Sequence, residues 1–305
     1  MQFERANKIV GCLLATGLLA AAGGAKSDEL RPFVLADSVA TKEHGAVVEE
    51  VAAKLREGPF EMLGQYAVDD GRHVFVVSHP ELTQVANDAA RSAYLAPVRV
   101  AVTDVGGEVQ VAYNNLEYFR HAYEVEEDLV GVREELASVL GNTGGFGSED
   151  GMTASDLRGY RYMVGMERFD DPYELASHDD AETARAAIEA TLAQEGNGVS
   201  EVYRLDLDRP GVTLYGVAVD ASAGAPEEAG DRHKLDTIDV GDRRHTAYLP
   251  YEILVNDGEV EALHMRFRMA LHWPDLGMLG SNSFFQLRSS PGVLEEVLEE
   301  IAAGP

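Results

Sequence analysis

From residue 33 onward, apolar positions recur either every second residue or every third to fourth, and Gly, Asp and Pro punctuate the change between the two. An apolar stretch, PFVLADSVA, precedes EHGAVVEEVAAKLREG, where Val47, Val48, Val51 and Leu55 fall on one helical face and Gly58 ends it. FEMLGQYAV and HVFVVS read as two strands joined by the turn DDGR (69–72). A short helix over ELTQVANDAARSAY leads to a second hairpin, YLAPVRVAVTDVGGEVQVAY (94–113), and EEDLVGVREELASVL (126–140) closes as a helix.

The same order returns further on. PYELASHDDAETARAAIEATLAQEG carries Ala184, Ile188 and Leu192 at helical spacing, with Asp179 or Asp180 placed to cap its start. VSEVYRLDL and GVTLYGVAV form a hairpin around DRPG (208–211). After a polar segment, 220–245, come YLPYEILVNDGEVEALHM (248–265) and the helix PGVLEEVLEEIA (291–302). The pattern predicts a duplicated α+β fold, two tandem two-layer domains, each an antiparallel sheet with helices packed on one face. The first spans 33–142 and the second, more diverged, 160–305. The segment 143–159, rich in Gly and small polar residues, is expected to link them. The segment 220–245 is expected to be a polar loop with at most a short helix.

The first copy, roughly Phe33 to Asn142, resembles the bacterial domain-of-unknown-function family 302. The resemblance rests on the strand ending VFVVSHPE, the proline-marked strand entry YLAPVRVAVTD and the closing hairpin GGEVQVAYNN. The second copy has the same outline without a His-Pro after YGVAV. The resemblance implies a two-layer α+β domain and no active-site residues to carry over.

Composition changes the picture at the N-terminus. Arg5 and Lys8 precede IVGCLLATGLLAAAGGA, a short apolar run ending in small residues, which reads as a secretory signal spanning 1–25. A periplasmic or secreted protein is therefore expected. The alternative is an uncleaved anchor, although the run is short against the ~20 residues that span a bilayer. Cys12 is the only cysteine and lies within this run, so no disulfide, thiolate nucleophile or cysteine metal site is expected in the mature chain. The formal charge is -28, and losing residues 1–25 makes it one unit more negative. A molecule so acidic repels nucleic acid and anionic lipid, and neither is expected as a partner; no integral span is expected after cleavage.

Candidate chemistry is sparse. No HExxH, GK[ST] phosphate loop or GxSxG elbow occurs, and no cofactor or metal is expected. SHDDAE (177–182), GDRHK and GDRRH (230–245) mix histidine and carboxylates and could bind zinc, or simply cap a helix and solvate a loop. HMRFRMALHW (264–273) alternates strictly, which predicts a strand with Leu263, Met265, Phe267, Met269 and Leu271 on a core face. His264, Arg266, Arg268 and His272 then share the opposite face. They are the candidate ligand site, either for a small anionic ligand or paired with acids on neighbouring strands such as Glu252 or Glu261. Val260 and Leu263 are out of phase, which a bulge near Glu261 would reconcile. The functional expectation is a non-enzymatic binding module for a small molecule or protein partner. The alternatives are an envelope metal-handling protein and a hydrolase-like enzyme using histidine and carboxylate acid–base chemistry.

Overall fold

The computed structural model describes residues 29–37 and 43–305; the signal-peptide reading of 1–25 lies outside them. Within the first unit the apolar pattern resolves into β1 (Phe33–Leu35), α1 (His44–Glu57), the hairpin β2 (Glu61–Asp69) and β3 (Arg72–Ser78), and α2 (Pro80–Ala86). A second hairpin, β4 (Val98–Val105) and β5 (Glu108–Asn114), is followed by α3 (Leu116–Ala122) and α4 (Val130–Leu140). Val47, Val51 and Leu55 are buried as their spacing requires, and Gly58 caps α1. His79 accepts a hydrogen bond from the Glu81 amide while Pro80 opens α2, so the His-Pro pair serves as a helix start.

The segment expected to be a linker is pinned to the first sheet instead. Gly144–Phe146 forms β6, hydrogen-bonded to β1, and Met152 bridges to Leu30. A short helix, α5 (Ala154–Leu157), carries a capping box from Thr153 and Asp156. Glycine richness here reflects an edge strand with little side chain rather than a flexible tether.

The second unit contains β7 (Tyr173–Ser177), α6 (Ala181–Leu192), the hairpin β8 (Val199–Asp206) and β9 (Val212–Val219), and α7 (Asp231–Ile238) inside the polar segment. β10 (Tyr251–Asn256), β11 (Glu259–Ala262), α8 (Met265–His272) and α9 (Ser290–Ala303) complete it. Asp180 caps α6 by accepting from the Thr183 amide. The register of β11 against β7 shifts between Val260 and Glu261, a bulge at the expected place, but Leu263 lies beyond the strand and needs no reconciling with Val260. The two sheets run in one order, β2-β3-β4-β5-β1 and β8-β9-β10-β11-β7, with β6 added at the end of the first.

The sheets meet through their inner faces. On β4, Val98, Val100 and Val102 alternate with Arg99, Ala101 and Thr103, and the second set reaches the other unit: Thr103 bonds Thr246, and Arg99 pairs with Glu252. On β9 and β10, Tyr215, Val217, Tyr251, Ile253 and Val255 join α6 and α9 in one core cluster. Leu214 and Leu254, on the other face, join the cluster built mainly from the first unit. Helices therefore cover the outer face of each sheet. At the sheet edges two bulges touch: a Cβ at Gly64 would lie 2.0 Å from the Val202 carbonyl oxygen, so β2 and β8 approach backbone to backbone.

Candidate functional site

The stretch 264–273 is not a strand. Its side chains follow helical, not alternating, geometry, and α8 divides the four candidate residues into two pairs. His264 precedes the helix, and its Nδ1 accepts from the Arg266 amide at 3.2 Å. Burial lowers its pKa to about 4, which keeps the ring neutral and able to accept. Arg266 points outward and donates to Glu167 at 2.9 Å, with half its side chain exposed. Arg268 and His272, one turn apart, point inward and are 1% and 0% exposed. The shared polar face expected from alternation does not form. Exposed ion pairs contribute little, so Arg266→Ala is expected to cost less than about 1 kcal/mol in chemical denaturation; a loss above about 2 kcal/mol would contradict this placement.

Around Arg268 lies a buried polar cluster drawn from both units. Its guanidinium is stacked between Tyr248 and Tyr251, 4.9 and 4.4 Å from the ring centroids. Nη2 donates to the carbonyls of Tyr248 and Pro250 at 2.8 and 3.1 Å. Glu252, 1% exposed, sits 3.8 Å from Arg268 and in direct contact with Arg99 of the first unit. It also accepts from the Tyr203 hydroxyl at 2.5 Å. Tyr203, Gly216 and Glu252 are register neighbours across β8, β9 and β10. A Cβ at Gly216 would lie 2.0 Å from the Tyr203 ring, so the glycine is what lets the tyrosine cross the middle strand to the carboxylate. Burial raises the pKa of Tyr203, keeping the hydroxyl protonated and donating.

His272 adds no charge here. Burial, then Arg268 and Arg99, hold its pKa well below the usual imidazole value. Its Nδ1 bonds the Arg268 carbonyl at 2.7 Å, and its ring packs on Phe119, Phe33 and Tyr248. Arg99 and Tyr203 escape sequence reasoning based on motifs. For Arg99 the available signal was a lone arginine in APVRVAV, a charged residue interrupting an otherwise apolar strand; Tyr203 carries none.

Where the polar segment folds back on the first unit, a cleft of about 860 Å³ opens between the two units. Tyr66, Asp69 and Asp70 line one wall; Ser200, Asp220, Glu227, Asp231, Arg232, His233 and Asp236 line the other. Asp231 anchors the floor, accepting from the Tyr66 hydroxyl at 3.0 Å and the Val219 amide at 3.1 Å. Its other oxygen lies 3.0 Å from Nζ of Lys234, whose side chain is 1% exposed. Burial lowers the Lys234 pKa and the Asp231 carboxylate opposes the shift. These bonds hold α7 against β2, so the divergent segment forms a fixed wall of the cleft. Among the described residues, no group of three or more His, Cys, Asp or Glu side chains is arranged to hold a metal ion, and no helix is long and apolar enough to cross a membrane. His178, one of the zinc candidates, bonds the Ala302 carbonyl at 2.8 Å.

The end of the polar segment is fastened by Asp239, whose two oxygens accept from the His245 amide at 2.9 and 3.0 Å. Burial raises the Asp239 pKa to about 7 and lowers that of His245 to about 4. The aspartate contributes stability that is complete below its unfolded value near 3.8 and lost as pH rises through about 7. The histidine contributes stability present above its unfolded value of 6.5 and lost as pH falls through about 4. Between these limits the two oppose each other. Replacing Asp239 with Asn leaves the histidine effect alone. The stability of Asp239→Asn relative to wild type should therefore rise with pH over this window and level off above it. Urea unfolding across the range checks this, and a pH-independent difference would overturn it.

No protein-family model matches the chain, and neither a curated protein nor a solved structure matches it.

Proposed function

We propose that this chain is an exported, non-enzymatic binding module that holds a small, positively charged organic molecule in the cleft between its two sheet-bearing units. The observation that carries the reading is the lining of that cleft. Both units build it, its volume suits a small ligand, and six carboxylates (Asp69, Asp70, Asp220, Glu227, Asp231 and Asp236) outnumber Arg232 and His233. Arg72 offsets part of this charge by pairing with Asp69 and Asp236, and Lys234 another part by pairing with Asp231, while Asp70 and Asp220 are exposed. The remaining field attracts cations and repels anions. An amine with an apolar body would meet Tyr66, Ala218 and Val219 on the walls and the carboxylates at the rim. Export is supported by the leader-like sequence of residues 1–25, and duplication of a unit like family 302 by the shared strand order.

Calorimetric titration with putrescine, spermidine and choline tests the binding reading. At least one is expected to bind saturably, and the double variant Asp70→Asn/Glu227→Gln to bind it about tenfold or more weakly, as loss of two nearby charges requires. Both positions are exposed, so the melting temperature should stay near that of wild type. Absence of saturable binding by all three amines, or binding undiminished in the variant, would overturn the reading. N-terminal sequencing of the protein from an envelope fraction tests export, with a start near residue 26 expected.

A further inference from the structure

We propose that the seam between the two sheets, separate from the cleft, is a binding site for a small monovalent anion, a halide or a carboxylate of a few atoms, held by Arg99, Arg268 and the tyrosines around them. Two guanidinium groups, 2% and 1% exposed, share the single carboxylate of Glu252. The neighbouring charges cancel in pairs. Lys234 is matched by Asp231 at 3.0 Å, and Arg91 by Glu261 through two bonds of 2.7 and 2.8 Å. One positive charge is therefore left over in a place where an unpaired charge is strongly unfavourable.

The hydrogen-bond donors tell the same story independently. Nε of Arg99, Nε and Nη1 of Arg268, and the hydroxyls of Tyr94, Tyr123 and Tyr248 are buried and have no hydrogen-bond partner. Buried donors are almost always satisfied by protein or water, and six orphaned beside a single orphaned acceptor, His272 Nε2, leave the seam short of acceptors. The rings pack closely, with Tyr94 and Tyr123 centroids 6.4 Å apart and Arg268 clamped between Tyr248 and Tyr251. That packing limits the occupant to an ion of a few atoms. An excess of N–H and O–H donors beside one surplus positive charge fits an anion and not a cation. A monoanion neutralises the seam and accepts from donors of both units, so it joins the two sheets.

The test uses the chain without residues 1–25, in sodium bromide, sodium acetate and sodium sulfate at matched ionic strength. Melting temperature should rise saturably with bromide or acetate, by mass action, and less with sulfate. Crystals grown in bromide should show an anomalous peak within hydrogen-bond distance of Arg268 and a tyrosine hydroxyl; stabilisation by acetate alone, with no bromide peak, assigns a carboxylate. Arg99→Met leaves one guanidinium on Glu252 and removes the surplus, so it should abolish the anion dependence, whereas Arg266→Ala, on the surface, should retain it. If Arg99→Met does not fold, the wild-type anion series and the bromide map decide alone. Melting temperatures that follow ionic strength regardless of anion, with no bromide peak in the seam, would overturn the proposal.

Discussion

Glu252→Ala lowers the unfolding free energy by about 3–5 kcal/mol, the cost of removing one partner from a buried ion pair. The carboxylate is 1% exposed and contacts two guanidinium groups, one from each unit. Its removal leaves Arg99 and Arg268 facing each other across a low-dielectric seam, where their repulsion adds to the loss of both attractions. Tyr203 loses its acceptor as well, and a buried hydroxyl left unpaired costs about 1–3 kcal/mol. The contrast lies in the fully apolar seam. Arg99→Met/Glu252→Leu/Arg268→Met removes every charge together and should recover most of the loss, because apolar replacements of buried ion pairs are often neutral or stabilising. Urea denaturation of the two variants checks both statements. A cost under about 1 kcal/mol for Glu252→Ala would mean that the seam is wet and the units are not closely joined.

Gly64→Ala is the second large effect, with an expected loss of about 3 kcal/mol, at the upper end for overpacking a tight site. Most overpacked side chains gain room by shifting a neighbour's rotamer. Here the neighbour is backbone: the added Cβ would lie 2.0 Å from the Val202 carbonyl oxygen and 2.9 Å from its carbon. Each strand carries a register shift at this point, and each is held in its own hairpin by ladder hydrogen bonds on either side. Relief requires the edges of the two sheets to separate. Gly45→Ala, in the first turn of α1 with nothing within 4 Å of the added carbon, is the control and should be neutral or stabilising. Equal effects at the two glycines would contradict the close approach of β2 and β8.

Much of the architecture is legible where one side of an element is wet. The helix at 44–57 shows Val47, Val51 and Leu55 because its outer face is polar, and the hairpins show through their Asp-Gly and Pro-Gly turns. Alternation failed at 265–272 for a physical reason. α8 lies between the two cores: Met265 and Met269 pack in one, and Phe267, Ala270 and Leu271 in the other. Only Arg266 is exposed in this helix, so no wet face reveals a helical period, and eight residues are too few to settle the question by length. The pairing of Arg268 with Glu252 was legible as one of the options for a cationic residue beside a strand acid. The participation of Arg99 was not, because it depends on one sheet facing the other, and no local pattern encodes that stacking. The cleft is likewise a product of tertiary placement: it forms because α7, inside a segment that reads as polar loop, is tied by Asp231 to Tyr66 of the other unit.

Two sheets joined through a buried charged seam should unfold as one body, which differs from two tandem domains that each melt alone. Differential scanning calorimetry of the chain without its first 25 residues measures this most directly. A single transition, with calorimetric and van't Hoff enthalpies equal, is the result expected of one cooperative unit. Two resolved transitions, each with the enthalpy of half the chain, would contradict the claim that Arg99, Glu252 and Arg268 bind the units into one fold.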